Sequence, residues 1–383
     1  MVPVMTFHHS PALFPKHGLR PFNGADRAGV NRLWEQVWWP QRSEAGWDWI
    51  AANPVLTEVA VPQGWVIKGS DGEVLAFLGA FAQRFWQGGR AYHAVTGHSL
   101  VVSPTARGAS RALIHAILAV PDMLACYTLN ANVISHKLYG HYGFKAFPAE
   151  THNVKLSWVT GPITCLAGRG LRRLVRGHDD WARKVGERFL PRSLWRPFDL
   201  NLPENVRILS DFEDYSAYSR FWEALRSEGR LIADRSPAIQ RWRLSDPDAT
   251  TLPVALSFGR EDAFGGYAVA MFNKPSPIEP VALEIIDIMA LDHAPEAVPA
   301  LMTALKRIAA KFGAAKLRLP VVNDRLMRQI GPWVRTARRE GGWSHAQVYV
   351  HDGAPDISSW QPTAYDGDHG LCLRPPPRRV FEV

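Results

Sequence analysis

Two short patterns recur along this 383-residue chain at almost one interval. Trp49 opens "WIAANP" and Trp242 opens "WRLSDP", 193 residues apart, while Asn132 in "LNANVIS" and Asn323 in "LPVVNDRL" are 191 apart. A shared interval limits the chain to copies of one unit, here two. The length agrees, because a single core stops growing near about 250–300 residues.

The periodicity gives both copies a similar order of elements. In the first, Val30, Leu33, Trp34, Val37 and Trp38 lie at helical spacing before the stop at Pro40. "GWVIKGSDGEVLAFLGAFAQRFW" then reads as a hairpin split at Ser-Asp-Gly, and "YHAVTGHSLVVSP" as a third strand. A helix in "TARGASRALIHAILAV", a strand in "LACYTLNAN" and a helix from Val133 to about Gly140 follow, with "FKAF" and "HNVKLSWV" as closing strands. In the second, "DYSAYSRFWEALR" and "SPAIQRWRL" predict helices, "LPVALSFG", "GYAVAMFN" and "VALEIIDIMAL" strands, and "AVPALMTALKRIAAKFG" a long amphipathic helix. "KLRLPVV" and "AQVYVH" close it as strands. The expected fold class is therefore α/β, two tandem mixed-sheet domains. The predicted boundaries are an N-terminal extension over 1–22, a first domain over 23–160, a basic helical linker over 161–204, a second domain over 205–352 and a C-terminal tail over 353–383.

Composition narrows the class. Hydrophobic residues make up 46% and charged residues 21%, with 15 Trp and 17 Phe, so both units have enough apolar bulk for a core. Cys126, Cys165 and Cys372 are odd in number and form no CxxC pair, which argues against a disulfide framework or a zinc site and for a reducing compartment. No basic segment precedes a 7–15 residue apolar run at the start, and nowhere do 18 apolar residues follow one another, so a cytoplasmic protein without a transmembrane segment is expected. The formal charge of +8 favours anionic ligands or polyanions. It is concentrated in residues 169–196, with nine Arg and Lys against three acids, a stretch that reads first as a linker helix whose arginines snorkel, and otherwise as a membrane-surface or RNA-binding segment.

Chemistry-bearing residues gather at two places. After the strand "SLVV", Arg107 and Gly108 open a helix whose first residues, Ala109 and Ser110, are small, followed by Arg111. Small side chains let backbone N–H groups approach an anion where the helix dipole already favours one, so either a phosphate or only solvent occupies this turn. Further on, Asn132, Tyr139, Gly143 and Phe144 stand at intervals that packing a helix on a sheet does not require.

Together these residues resemble the GCN5-related N-acetyltransferase (GNAT) family, over roughly residues 25–160. The family pattern V-x-P-x-x-R-G is met by Val102, Pro104, Arg107 and Gly108, and N-x6-Y-x3-G-F by Asn132, Tyr139, Gly143 and Phe144. "WDWIAANP" and "SSWQPTAYDGDHG" are similar to pieces of tandem proteins of this type associated with polysaccharide modification. The resemblance implies two tandem GNAT-like domains and an acetyl-CoA or other acyl-CoA cofactor. Backbone groups near Val101 and Val102 would take the pantetheine arm, residues Arg107, Gly108, Ala109, Ser110 and Arg111 the pyrophosphate, and Asn132 and Ser135 the cofactor arm, with Tyr139 protonating the departing thiolate. One departure is that Ser110 stands where the family's turn R-G-x-G-x-G/A has its second glycine. The second copy lacks the Arg-Gly turn and has Ile330 where Tyr139 would stand, and is read as degenerate.

The implied activity is acyltransferase: an acetyl or acyl group passes directly from the thioester to an amine or hydroxyl of a small molecule or sugar. No Ser or Cys lies in a nucleophile arrangement. The alternatives are an aminoacyl-tRNA-dependent peptidyltransferase, whose basic linker would bind nucleic acid, and a non-catalytic binding protein. His98 is either a core histidine or the base that takes the acceptor's proton, and Glu73 is a second candidate for that base or an acceptor-binding carboxylate. Asp287, a lone carboxylate in an apolar run, must be paired or shifted, so it reads first as held by a structural hydrogen bond and otherwise as a grip on an acceptor amine. His8, His9 and His17 suit an N-terminal tail better than a metal site, and no metal is expected.

Overall fold

The computed structural model describes residues 18–37, 39–174, 185, 201–249, 251, 253–274, 279–341 and 345–372. Trp38, the three N-terminal histidines and most of the basic stretch lie outside the described residues.

The chain opens with β1 (Leu19–Pro21), α1 (Arg27–Gln36) and α2 (Glu44–Ala51). Val30, Leu33 and Trp34 bury the inner face of α1, and the Ser43 hydroxyl accepts from the Gly46 amide to cap α2. The long hairpin β2 (Gly64–Lys68), β3 (Val74–Gln87) and β4 (Arg90–Val102) follows, then α3 (Ala109–Leu118), β5 (Ala125–Ala131), α4 (Val133–Gly140), β6 (Lys145–Ala146) and β7 (Lys155–Val159). α5 (Pro162–Leu174) leads toward the second half.

That half begins with β8 (Val206–Ile208), α6 (Ala217–Ser227), β9 (Ile232–Ala233) and α7 (Pro237–Leu244). It continues with β10 (Val254–Gly259), β11 (Phe264–Asn273), β12 (Ala282–Ala290), α8 (Ala297–Lys311) and β13 (Lys316–Leu319). α9 (Asp324–Gln329), α10 (Trp333–Thr336), β14 (Arg338–Glu340), β15 (His345–Val350) and the short α11 (His369–Cys372) complete it. No helix among the described residues is long and apolar enough to cross a membrane.

Two mixed sheets result. One runs β1-β2-β3-β4-β5-β15-β6, with β9 added beside β3; the other runs β8-β10-β11-β12-β13-β7-β14. The orders match strand for strand, so the internal interval does mark two copies of one unit. They also exchange a strand. β7 leaves the first half to pair with β13 and β14, and β15 leaves the second to sit between β5 and β6. The domain limits expected at 160 and 205–352 therefore cut across both sheets, because each holds within it a strand of the other half.

A near-twofold contact ties the halves together. Trp49 and Trp242 stack with ring centroids 4.8 Å apart, and each indole N–H donates to the other's backbone carbonyl, at 2.7 and 2.9 Å. Such a pair contributes about 0.5–1.5 kcal/mol beyond its area. Arg42, mostly buried, pairs with Asp246 at 2.7 Å across the same junction.

The stretch expected as a C-terminal tail is a wedge between the sheets. Trp360 packs against Phe85, Tyr127 and Phe147, while Ala364, Tyr365 and Asp366 are buried. Gln83 and Tyr127 of the first sheet both donate to the Asp366 carbonyl. On its other side the wedge meets a buried ionic cluster: Arg235 bonds Asp287 at 2.7 and 3.2 Å, Asp366 at 2.6 Å and Thr363 at 3.0 Å.

Candidate functional site

β4 and β5 run parallel, yet they pair only through Ala94, Val95 and Thr96 with Ala125, Cys126 and Tyr127. Beyond Thr96 the strands part. The register between β3 and β4 shifts just there, and Ser99 sits at φ 54°, the left-handed region. A bulge re-aims the strand and leaves β4 backbone groups without a ladder partner on the β5 side. A cavity of about 660 Å³ opens at the gap, lined by Gly97 to Leu100 on one strand and by Thr128, Asn130, Ala131 and Asn132 on the other.

α4 brings Tyr139 to this cavity. Its ring is buried against Phe144, with centroids 4.8 Å apart, and its hydroxyl would lie 3.4 Å from a β carbon placed on Gly97. Burial, foremost, with neighbouring Cys126 and Asp368, pushes the phenol above its ordinary value, so it keeps its proton. Asn132 caps α4, its side-chain oxygen accepting from the Ile134 and Ser135 amides at 2.9 Å each. Its amide nitrogen is not spent in that cap, and Asn132 and Ser135 both line the cavity.

His98 lines it too. Its Nδ1 lies 3.1 Å from the Ser99 hydroxyl, and burial followed by the Arg42 charge pushes its imidazole down to about 3. A ring that gains a proton only near pH 3 suits a neutral hydrogen-bond partner better than a proton store. Gly79 across the strand pair makes room for it, because a β carbon there would stand 2.2 Å from the ring.

Val101 and Val102 end β4 beyond the cavity wall, Val101 buried toward α1 and Val102 half-buried. Arg107, Gly108, Ala109, Ser110 and Arg111 continue from them. Gly108 takes φ 91°, which favours glycine, and no side chain caps α3. Arg107 and Arg111 are exposed beside this bare helix start.

None of these seven residues lines the cavity itself, and neither do the two expected acceptor-binding carboxylates. Glu73 is exposed in the β2–β3 hairpin turn, its amide bonded to Asp71, and does not line the cavity. Asp287 is fully buried and held by Arg235, Thr363 and the Tyr267 hydroxyl, so its charge is spent inside the fold.

Several residues of the wall carried no notice in the sequence. Opposite the β4–β5 gap, the second sheet contributes Glu284, Lys316, Arg318 and Glu340, and the wedge contributes Asp368 and His369. Arg318 pairs with Glu284 at 2.7 Å and Glu340 at 3.1 Å, and Lys316 with Glu340 at 2.7 Å. The buried Lys155 stands near them, its ammonium pushed well below its ordinary value by burial and then by Arg318. The alternation Lys316-Leu317-Arg318-Leu319 was the available signal, but an alternating strand ordinarily turns its polar face to water.

Burial alone would raise the Glu340 carboxyl, yet Arg318 and Lys316 hold it at about 2, below its ordinary 4.5. A carboxyl depressed in the fold stabilises it fully above about 4.5, and that contribution is lost as pH falls through about 2. Denaturant titrations between pH 5 and 2 should therefore show a shallower loss of stability for Glu340→Gln than for the parent. Parallel curves would mean that the pairing contributes nothing.

The second copy has a corresponding gap. β12 and β13 pair only over Ala282–Glu284 with Lys316–Arg318 and then separate. The chain's own wedge fills it: Asn323, which caps α9 as Asn132 caps α4, donates to the Pro362 carbonyl at 3.0 Å, and Thr363 reaches Asp287 at 2.8 Å. Ile330, in the place of Tyr139, is wholly buried in the core.

Neither a protein-family model nor a curated protein sequence matches the chain. Among solved structures it is similar to a GCN5-related N-acetyltransferase from Anabaena variabilis, at 15% identity and TM-score 0.49, over 87% of this chain and 72% of that one. It is also similar to a GCN5-related N-acetyltransferase from Kribbella flavida, at 18% identity and TM-score 0.48, over 87% and 71%.

Proposed function

We propose that the chain is an acyl-CoA-dependent acyltransferase of the GNAT type, with one working site in the first sheet and a second copy that serves as its other wall. The observation that carries this is the parting of β4 and β5 after Thr96, with Tyr139 standing over Gly97 in the gap. The residues present fit such a group. Gly97 leaves the strand face bare, the β4–β5 ladder ends at Thr96, and the uncapped start of α3 offers N–H groups and the flanking Arg107 and Arg111 to a diphosphate.

Acyl-CoA would supply a thioester whose departing sulfur needs a proton. The chain's own part is to hold the arm along Gly97–Val102 and against Asn132 and Ser135, and to keep a proton on the Tyr139 hydroxyl for that sulfur. The acceptor would enter from the cavity side. His98, neutral at any ordinary pH, would serve there as a hydrogen-bond partner.

Calorimetric titration of the whole chain with acetyl-CoA tests the reading. Binding is expected, and Gly108→Val should weaken it at least tenfold, because a β-branched residue strains the left-handed turn that opens the helix. No heat of binding at millimolar acetyl-CoA removes the reading.

A further inference from the structure

The cavity is larger and more polar than the end of a thioester requires. Its far wall is a built surface. Glu284 is 1% exposed, and its Oε1 accepts from Arg318 at 2.7 Å and Asn273 at 3.2 Å, while its Oε2 is buried with no partner among the described residues. His369, 4% exposed on the same cavity, likewise has neither ring nitrogen bonded. Burial, then Lys155 and Arg318, push its imidazole well below the ordinary value, so the ring is neutral and offers one donor and one acceptor. A buried polar atom left without a partner is costly, so these atoms are best explained by a ligand that completes them.

The rim has a different character. Arg169 and Arg172 of α5 and Arg338 and Arg339 of β14 line the cavity and are exposed. Arg172 pairs with Glu279 at 2.8 Å, whereas Arg169, Arg338 and Arg339 have no ion pair among the described residues. Guanidinium groups match carboxylate and phosphate in shape as well as charge. A cavity of about 660 Å³ lies within the size range of small-ligand sites.

We infer that this cavity takes a small polyhydroxylated or amine-bearing anion, its carboxylate or phosphate held at the arginine rim and its hydroxyl or ammonium groups by Glu284 and His369. Resting on the acyltransferase reading, this ligand is the acceptor, and selection among acceptors lies in residues of the second half of the chain. The degenerate copy would thus keep a role after losing its own cleft.

The test is equilibrium binding to the full-length protein without acyl-CoA, using glucosamine 6-phosphate, galacturonate and glucosamine as probes. At least one of the two anions should bind tenfold or more tighter than glucosamine, and which one it is distinguishes phosphate from carboxylate. Arg338→Glu with Arg339→Glu should abolish the preference at unchanged melting temperature, since both side chains are exposed. Glu284→Gln should weaken the preferred anion at least tenfold, with rim discrimination between anion and glucosamine retained. Equal binding of all three probes, no binding of any at millimolar concentration, or a preference that survives the rim substitutions would overturn the inference. A protein that binds the anion but not acetyl-CoA would keep this site while removing the acyltransferase reading.

Discussion

Replacing Tyr139 by Phe should slow acyl transfer about 10²-fold and leave acetyl-CoA affinity within about twofold, since general acid catalysis by one group is worth about 10²–10⁴. The substitution removes only the hydroxyl. The ring that packs on Phe144 remains, so the fold should melt where the parent does. Steady-state rates, calorimetry and a melting curve on one preparation separate the roles. A loss of affinity or stability in step with the rate would reduce Tyr139 to a packing residue. The pH profile adds a second readout: because burial raises the phenol above its ordinary value of 10.0, the rate should show no loss from Tyr139 ionisation below about pH 10.

Truncating Arg235 to Met should have the largest effect on stability. The guanidinium is wholly buried and satisfies Asp287 and Asp366, each at most 1% exposed in its side chain. Removing it strands two carboxylates, and breaking a buried pair from one side costs about 3–5 kcal/mol. A lower denaturant midpoint at unchanged slope is the expected signature. Adding Asp287→Asn and Asp366→Asn should recover part of the loss, since the charges are then gone together. A loss below about 1 kcal/mol would mean that water reaches the cluster.

Much of the architecture was legible because each element carries its own pattern. The Ser-Asp-Gly hairpin, the period of α8 and the helix from Val133 to Gly140 are local signals, and all stand where the pattern placed them, whereas α9 is too short to announce itself. Partnership is not local. "HNVKLSWV" is a strand, as its alternation indicates, but nothing in that alternation says that Leu156 and Trp158 join the second sheet's core rather than the first's. The same holds for the site. His98, Asn132, Ser135 and Tyr139 share one cavity because they lie within one unit, on β4 and α4. Glu284, Arg318 and His369 reach it only through the pairing of the halves, which no spacing records. Asp287 shows the same limit: a carboxylate in an apolar run announces a partner, but not that the partner is Arg235, 52 residues away between β9 and α7.

The exchange of β7 and β15 has a consequence for how the protein is made. β5 is complete at residue 131, but the strand that covers its open edge begins at residue 345. At about 5–20 residues per second of synthesis, that edge waits roughly 10–40 s on the ribosome for its partner. An uncovered edge is a template for pairing with any other chain. The dangerous interval for this fold therefore falls before translation ends, and a pause in translation ahead of residue 345 would lengthen it.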